Sequence, residues 1–392
     1  MSRNIGWSRR VLNGRRRVLS IAHSYVVALN RGLPNELAKT GGKEWEVTAV
    51  APSVFHGDLR LIPLEPSPAE GCTLEAVPVR MSRYIHVMSY GARLRDLLTR
   101  PWDLVHCWEE PYILAGAQVA WWTQAGVPLV YASFQNISKA YVPPFNWLEA
   151  YSINRASGWI ASGRTIEQTL LQRAHYKDRK RRVIPMGVDV QAFRPDAAAG
   201  LAIRQSLGWE GPSPPVIGYL GRFVPEKGVK LLTAALDRLQ SDWLALFVGG
   251  GPLENGLRKW AAAYPGRVRI LTGVTHDRVP AYLNAMDVLC APSQTTSRWR
   301  EQFGRMLIEA FACGRAVVAS DSGEIPFVVG DAGVTVGESD VEAWTKSLEE
   351  LLNSPERRRD LGGRGLERAH RHYSWPVVAS QYLEFFEEIL SQ

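Results

Sequence analysis

Short apolar runs separated by stretches of helical periodicity recur along the whole chain. Val18–Ala22, Trp45–Ala51, Leu104–Cys107, Leu129–Ser133, Gly158–Ser162 and Val183–Met186 are apolar at nearly every position. That is the pattern of strands covered on both faces, as in parallel sheets whose crossovers are helices. After Pro214 the pattern starts again, with Val216–Gly221, Ala245–Gly249, Val268–Leu271, Val288–Ala291, Ala316–Ser320 and Gly333–Val336, each followed by a helix-like segment. Two doubly wound sheets are expected. The stretch from Phe193 to Pro215, rich in Pro, Ala and Gly, reads as the hinge between them. From Trp375 to Gln392 the apolar residues Val378, Tyr382, Phe385, Phe386 and Ile389 fall at helical spacing and predict a terminal amphipathic helix.

Length agrees with two cores, since 392 residues exceed what one ordinary domain buries. At 46% hydrophobic and 22% charged residues, the composition excludes disordered and fibrous classes. The longest apolar stretch, Leu114 to Ala132, is interrupted by Gln118, Thr123, Gln124 and Pro128, so no spanning helix is predicted. Four cysteines, at 72, 107, 290 and 313, are scattered without metal-ligand spacing, which points to a reducing, cytoplasmic setting.

Charge is uneven. Residues 1–200 carry 25 Lys/Arg against 16 Asp/Glu, although the chain as a whole is only +7. Before Glu36 stand Arg3, Arg9, Arg10, Arg15, Arg16, Arg17 and Arg31 with no acid among them. The apolar run that follows holds His23 and Asn30 and reads as a strand and its loop rather than an export signal. This basic arm and the Lys177–Arg182 cluster are either a solvated face or a contact for anionic lipid headgroups. Neither zinc-finger spacing nor a ribonucleoprotein motif is present, so nucleic acid is not expected as a partner.

The chemistry is concentrated in the second half. The strand ending in Gly221-Arg222 leads through Pro225-Glu226-Lys227-Gly228 into a helix, an arrangement that suits a phosphate. Free N–H groups and a helix dipole meet the bidentate fork of Arg222 and the point charge of Lys227. Gly249-Gly250-Gly251-Pro252 follows a second strand and permits close backbone approach, but is not a Walker loop. In Glu301-Gln302-Phe303-Gly304-Arg305 through Glu309, two carboxylates stand eight residues apart. If a helix begins at Phe303 or Gly304, Glu301 lies in the loop before it and Glu309 about 8 Å along its axis. Such spacing suits a sugar ring near Glu301, a pyrophosphate at the helix start and a ribose near Glu309; the bland alternative is two acids favouring a helix start.

These residues resemble the Glu-x7-Glu motif of the retaining glycosyltransferases of family 4. Four further stretches agree in order and spacing: residues 183–189 with Phe193 and Pro195, Gly221-Arg222 with Lys227-Gly228, Ser320-Asp321-Ser322-Gly323-Glu324-Ile325-Pro326, and Tyr373-Ser374-Trp375. The resemblance implies a GT-B fold, two Rossmann-like domains facing across a cleft. Residues 1–195 plus 375–392 would bind the acceptor and residues 196–374 the nucleotide-sugar donor, with the terminal helix crossing back to the first domain. It further implies that Arg222 and Lys227 clamp the donor diphosphate, helped by backbone at Gly221, Phe303, Gly304 and Arg305, that Glu309 binds ribose, and that Glu301 holds the transferred sugar. Neither a metal nor another cofactor is implied. The family's early histidine motif is altered here: Asp103-Leu104-Val105-His106-Cys107-Trp108-Glu109 keeps one histidine, and Trp108 or Glu109 takes the second place. Glu109 is the candidate acid for orienting donor sugar or acceptor hydroxyl, and His106 either shares that role or is a buried strand residue.

The activity this implies is sugar transfer from a nucleoside diphosphate to a glycan or lipid-linked acceptor in cell-envelope polysaccharide assembly, at the inner face of a membrane. The rivals are a GT-B enzyme acting on a small soluble acceptor, a nucleotide-sugar epimerase, and a non-catalytic nucleotide-sugar or polyanion-binding module.

Overall fold

The computed structural model describes residues 14–57, 61–67, 70–211 and 213–391. Arg3, Arg9 and Arg10 of the basic arm lie outside the described residues. In the first lobe the strands are β1 (Arg16–Ile21), β2 (Trp45–Pro52), β3 (Val54–His56), β4 (Leu61–Pro63), β5 (Thr73–Val77), β6 (Val79–Arg80), β7 (Ser89–Tyr90), β8 (Leu104–Cys107), β9 (Leu129–Ser133), β10 (Gly158–Ala161) and β11 (Lys180–Val183). The second lobe follows with β12 (Val216–Arg222), β13 (Leu244–Gly250), β14 (Val268–Leu271), β15 (Val288–Ala291), β16 (Ala316–Ser320) and β17 (Val334–Val336). Among the described residues they form one sheet in the order β11-β10-β9-β8-β1-β2-β5 and another in the order β14-β13-β12-β15-β16-β17, with β3-β4 and β6-β7 as separate hairpins. Every pairing in the two large sheets is parallel.

The central strands are where the apolar runs place them, because side chains on both faces enter a core. Leu19 and Ile21 of β1 enter one cluster of the first lobe, and Val18 enters the cluster on the opposite face. Three expectations need correction. The strand expected at 183–186 is Lys180–Val183, an edge strand whose first residues are exposed, so its sequence is basic rather than apolar. The hinge holds a helix, Ala197–Ser206, whose N-cap Asp196 accepts from the Ala199 N–H at 2.8 Å. Val188 and Phe193 belong to the second lobe's core, so the chain leaves the first lobe before Val188 and not at residue 195.

The terminal helix, Trp375–Leu390, buries Val378, Tyr382, Phe385, Phe386 and Ile389 against Leu33 and Leu37 of the first lobe, as its periodicity predicts. Two motifs meet where the chain crosses between lobes. The Val188 N–H donates to the Tyr373 carbonyl at 2.7 Å, and the Trp375 N–H to the Val188 carbonyl at 3.2 Å. A Cβ at Gly187 would lie 2.2 Å from the Trp375 ring, so only a glycine lets the indole wedge there.

Much of the basic surface is already used by the fold. Arg16 pairs with Glu387 and lies over Trp45, while Arg17 lies over Trp102. Arg31 is fully buried and tied to Glu70, the Tyr25 carbonyl and the Glu65 carbonyl. In the 177–182 cluster, Lys180 reaches the Glu388 carbonyl and Arg182 pairs with Glu384 and Glu388, so part of that charge docks the terminal helix.

Candidate active site

In an open parallel sheet, ligands gather outside the carboxyl ends of strands where the strand order reverses. In the second lobe that point lies between β12 and β15, which are paired neighbours. Arg222 ends β12, and the loop after β15 carries Ser293 and, farther on, Glu301. A cavity of about 460 Å³ opens here. It is lined by Gly221, Arg222, Lys227, Glu301, Phe303, Gly304, Arg305 and Glu309 from the second lobe and by Asn30 and Phe134 from the first. The residues expected from 221 to 309 therefore surround a single space, and both lobes contribute to its wall.

Local backbone chemistry builds this wall. Gly228 has φ +69° and a Cβ there would meet the Pro292 carbonyl at 1.7 Å, so glycine lets the Lys227 turn sit against the end of β15. Gly304, at φ +81°, is the N-cap of the helix Arg305–Ala312. That helix starts slightly later than expected, which puts Glu309 about 6 Å along it at 1.5 Å per residue.

The acids have defined partners. Glu301 is 6% exposed. Its carboxylate receives the Lys227 ammonium at 2.5 Å and the Ser293 hydroxyl at 2.8 Å, while the ammonium also sits 4.9 Å from the centre of the Trp299 ring. Glu309 is 4% exposed, with His276 Nε2 at 3.1 Å and the Arg305 guanidinium at 3.6 Å. His276, which no sequence motif singles out, also lines the cavity. Arg222 lies 3.9 Å from Glu226. Among the described residues no group of three His, Cys, Asp or Glu is arranged to hold a metal ion.

Hydrogen bonds bind the lobes around the cavity. Asn136 Nδ2 donates to the Glu301 carbonyl at 2.7 Å, Gln302 Nε2 to the Phe134 carbonyl at 2.8 Å and the Arg305 guanidinium to Asn30 Oδ1 at 3.1 Å. Farther out, the Glu324 carboxylate accepts from the N–H groups of Arg164 and Thr165 and from the Thr165 hydroxyl.

Glu109 does not line this cavity, which corrects its expected place against the ligand. It is fully buried, and its carboxylate accepts from the His23 N–H and the Tyr90 hydroxyl, both at 2.5 Å, with His23 Nδ1 at 2.6 Å. His106 is the buried strand residue: Ser20 Oγ lies 2.9 Å from Nδ1, the ring packs on Tyr382 and Phe386, and burial pushes its pKa down to about 3. Trp108 packs on Tyr25 and Phe134 and donates to the Tyr382 hydroxyl.

Two doubly wound lobes enclosing one cavity, with the terminal helix returned to the first, make up the GT-B architecture. Comparisons with known proteins give the family. The model of group 1 glycosyl transferases matches residues 203–368, and that of glycosyltransferase family 4 matches residues 32–192. The D-inositol 3-phosphate glycosyltransferase of Segniliparus rotundus is 31% identical over 348 residues, 82% of this chain and 74% of that one. A GDP-mannose-dependent monoacylated alpha-(1-6)-phosphatidylinositol monomannoside mannosyltransferase of Corynebacterium glutamicum is 33% identical over 50% of this chain and 54% of its own. The chain belongs to glycosyltransferase family 4. In fold it is similar to the sucrose-phosphate synthase of Thermosynechococcus elongatus, with TM-score 0.71 and 21% identity over 96% of this chain and all of that one. It is likewise similar to Anabaena HepE in complex with UDP and glucose, with TM-score 0.72 and 18% identity over 95% of this chain and all of that one.

Proposed function

We propose that this enzyme moves a sugar from a nucleoside-diphosphate sugar to a polyol-containing glycan or glycolipid acceptor, with retention and without a metal, in cell-envelope assembly at the cytoplasmic face of a membrane. The observation that carries the reading is the shared cavity of Arg222, Lys227, Glu301, Gly304, Arg305 and Glu309. Arg222 and Lys227 supply fixed positive charge for the diphosphate as it leaves, the electrostatic task a divalent cation performs elsewhere. The start of the helix Arg305–Ala312 adds N–H groups, Glu309 takes the ribose hydroxyls, and Glu301 takes those of the transferred sugar. A donor phosphate competes with Glu301 for the Lys227 ammonium, so donor binding reorganises that ion pair.

In the transfer, the bond from the sugar's anomeric carbon to the diphosphate oxygen breaks and its electron pair leaves with the diphosphate. The acceptor oxygen bonds to the same carbon on the same face, and its proton passes to the departing phosphate oxygen. Glu301 positions the sugar in this scheme and forms no bond to it. Relatives named as acting on inositol phosphate or phosphatidylinositol mannosides support a polyol acceptor.

Thermal shift against UDP, GDP and ADP and their sugars tests donor binding, because a ligand of the native state raises its melting temperature. One diphosphate should stabilise the protein, and Glu301→Gln should lose transfer while keeping that diphosphate's affinity within a few-fold. Equal loss of transfer and diphosphate binding would make Glu301 structural. Isomerised donor without acceptor would make the enzyme an epimerase.

A further inference from the structure

The first sheet has its own reversal point, between the paired strands β1 and β8. From β1 the chain winds one way to β2 and β5, and from β8 the other way to β9, β10 and β11. The donor cavity occupies the equivalent place in the second sheet, so this crevice is where the facing lobe is built to meet a ligand. His23 leaves the carboxyl end of β1, and Glu109 leaves that of β8.

We propose that His23, aimed by the buried Glu109, is the first lobe's recognition group for the acceptor, its Nε2–H donating to a hydroxyl oxygen of the polyol unit that receives the sugar. This rests on the transferase reading of the cavity and adds to it the residue that orients the second substrate.

The pair is constructed as an orienting device. Glu109 is wholly enclosed, whereas the His23 side chain is 28% exposed. Nδ1 and the His23 N–H both engage the carboxylate, Tyr90 fixes one carboxylate oxygen, and Phe55 stacks on the imidazole at 5.0 Å. Ring plane and direction are thereby set, and Nε2 is the nitrogen left for a ligand. Two residues of the donor cavity's wall are tied to the chain neighbours of the pair. Asn30, in its wall, donates to the Ser24 carbonyl next to His23. Phe134, also in its wall, donates its N–H to Glu110 next to Glu109.

The ionisable groups facing the ring are Glu109 and Glu110 from the loop after β8, with the Tyr90 hydroxyl of β7 bound to Glu109; Phe55 of β3 is apolar. Burial works against a charged ring, but the charge and hydrogen bond of Glu109, with Glu110 behind it, outweigh burial and hold the His23 pKa above its ordinary value. In the charged form both ring nitrogens donate. A group with a raised pKa is charged below that pKa and loses the proton above it, so acceptor recognition should weaken as pH rises through it.

The test is steady-state kinetics of His23→Ala, His23→Gln and Glu109→Gln with UDP-glucose or GDP-mannose as donor and D-inositol 3-phosphate or phosphatidylinositol vesicles as acceptor. His23→Ala should raise the acceptor KM by about tenfold or more, the loss of one charge-assisted hydrogen bond. The donor KM and donor hydrolysis without acceptor should stay within about twofold. His23→Gln, which places an amide donor near Nε2, should restore much of the loss. Glu109→Gln should move the alkaline fall in acceptor kcat/KM to lower pH. An unchanged acceptor KM in His23→Ala, or a parallel rise in both KM values, overturns the inference while wild-type transfer upholds the activity. A wild type that binds neither donor and transfers to neither acceptor removes the activity and the inference together.

Discussion

Removing the Glu324 carboxylate should loosen the two lobes. Its atoms lie over the start of the helix Arg164–Leu170, 2.7 Å from the Arg164 nitrogen, 2.8 Å from the Thr165 nitrogen and 2.5 Å from the Thr165 hydroxyl. Glu324 is 3% exposed, so Glu324→Ala leaves three donors at an interface with no replacement. A hydrogen bond to a charged acceptor contributes about 1.5–3 kcal/mol, and water entering the gap recovers part of it, so the total should be about 3–5 kcal/mol. Spread over a unit of this size, that lowers the melting temperature by about 5–15 °C. Differential scanning fluorimetry reads the shift, and small-angle scattering should show a larger radius of gyration as the lobes part. Gly163→Ala is an independent check, because its Cβ would lie 2.4 Å from Glu324 Cδ. A shift below about 2 °C in Glu324→Ala, with an unchanged scattering profile, would refute the reasoning.

Gly228→Ala should lower both the melting temperature and diphosphate affinity, since the methyl group must displace the Pro292 carbonyl and a left-handed alanine costs about 1–2 kcal/mol; isothermal titration and fluorimetry give the two readings. His106 should make the fold acid-sensitive. Its folded pKa is depressed to about 3 from 6.5, the unfolded chain binds the extra proton, and wild-type stability relative to His106→Asn should fall as pH drops from about 6.5 toward 3. Paired denaturant melts across that range measure it, and a constant difference would contradict it. Deleting residues 1–13 should weaken sedimentation with anionic vesicles and leave transfer to a soluble acceptor nearly intact, because β1 begins only at Arg16.

What the sequence revealed follows from which interactions are local. β8, β9, β15 and β16 stand at their expected residues because strands buried on both faces are continuously apolar. β11 lies earlier than the apolar run because an edge strand needs no such run, and its Lys180 and Arg182 instead serve the terminal helix. β5 and the hairpins were missed for the same half-exposed character. The helix Ala197–Ser206 was hidden by reading Ala and Gly as linker, although Asp196 and a run of alanines also fit a capped helix.

At the site, Arg222, Lys227, Glu301 and Glu309 were legible as a spaced set on one half of the chain. The partners His276 and His23 were not, because Glu309 and Glu109 meet them across 33 and 86 residues. Glu324 was quoted as part of a motif, yet its contact spans 160 residues to Arg164 and belongs to the interface between lobes. Glu109 was recognised as an unusual acid. Its burial, which hands the polar task to His23, appears only once β1 and β8 are adjacent.

In the proposed transfer, the cations at 222 and 227 grip the departing diphosphate while the acids at 301 and 309 hold the carbohydrate on either side of it. A crystal structure with the stabilising nucleoside diphosphate tests it most directly. Phosphate oxygens are expected within hydrogen-bond reach of the Arg222 guanidinium and Lys227 ammonium, with ribose hydroxyls at Glu309. A nucleotide bound elsewhere, or one in this cavity that leaves Lys227 on Glu301 and touches neither cation, would contradict it.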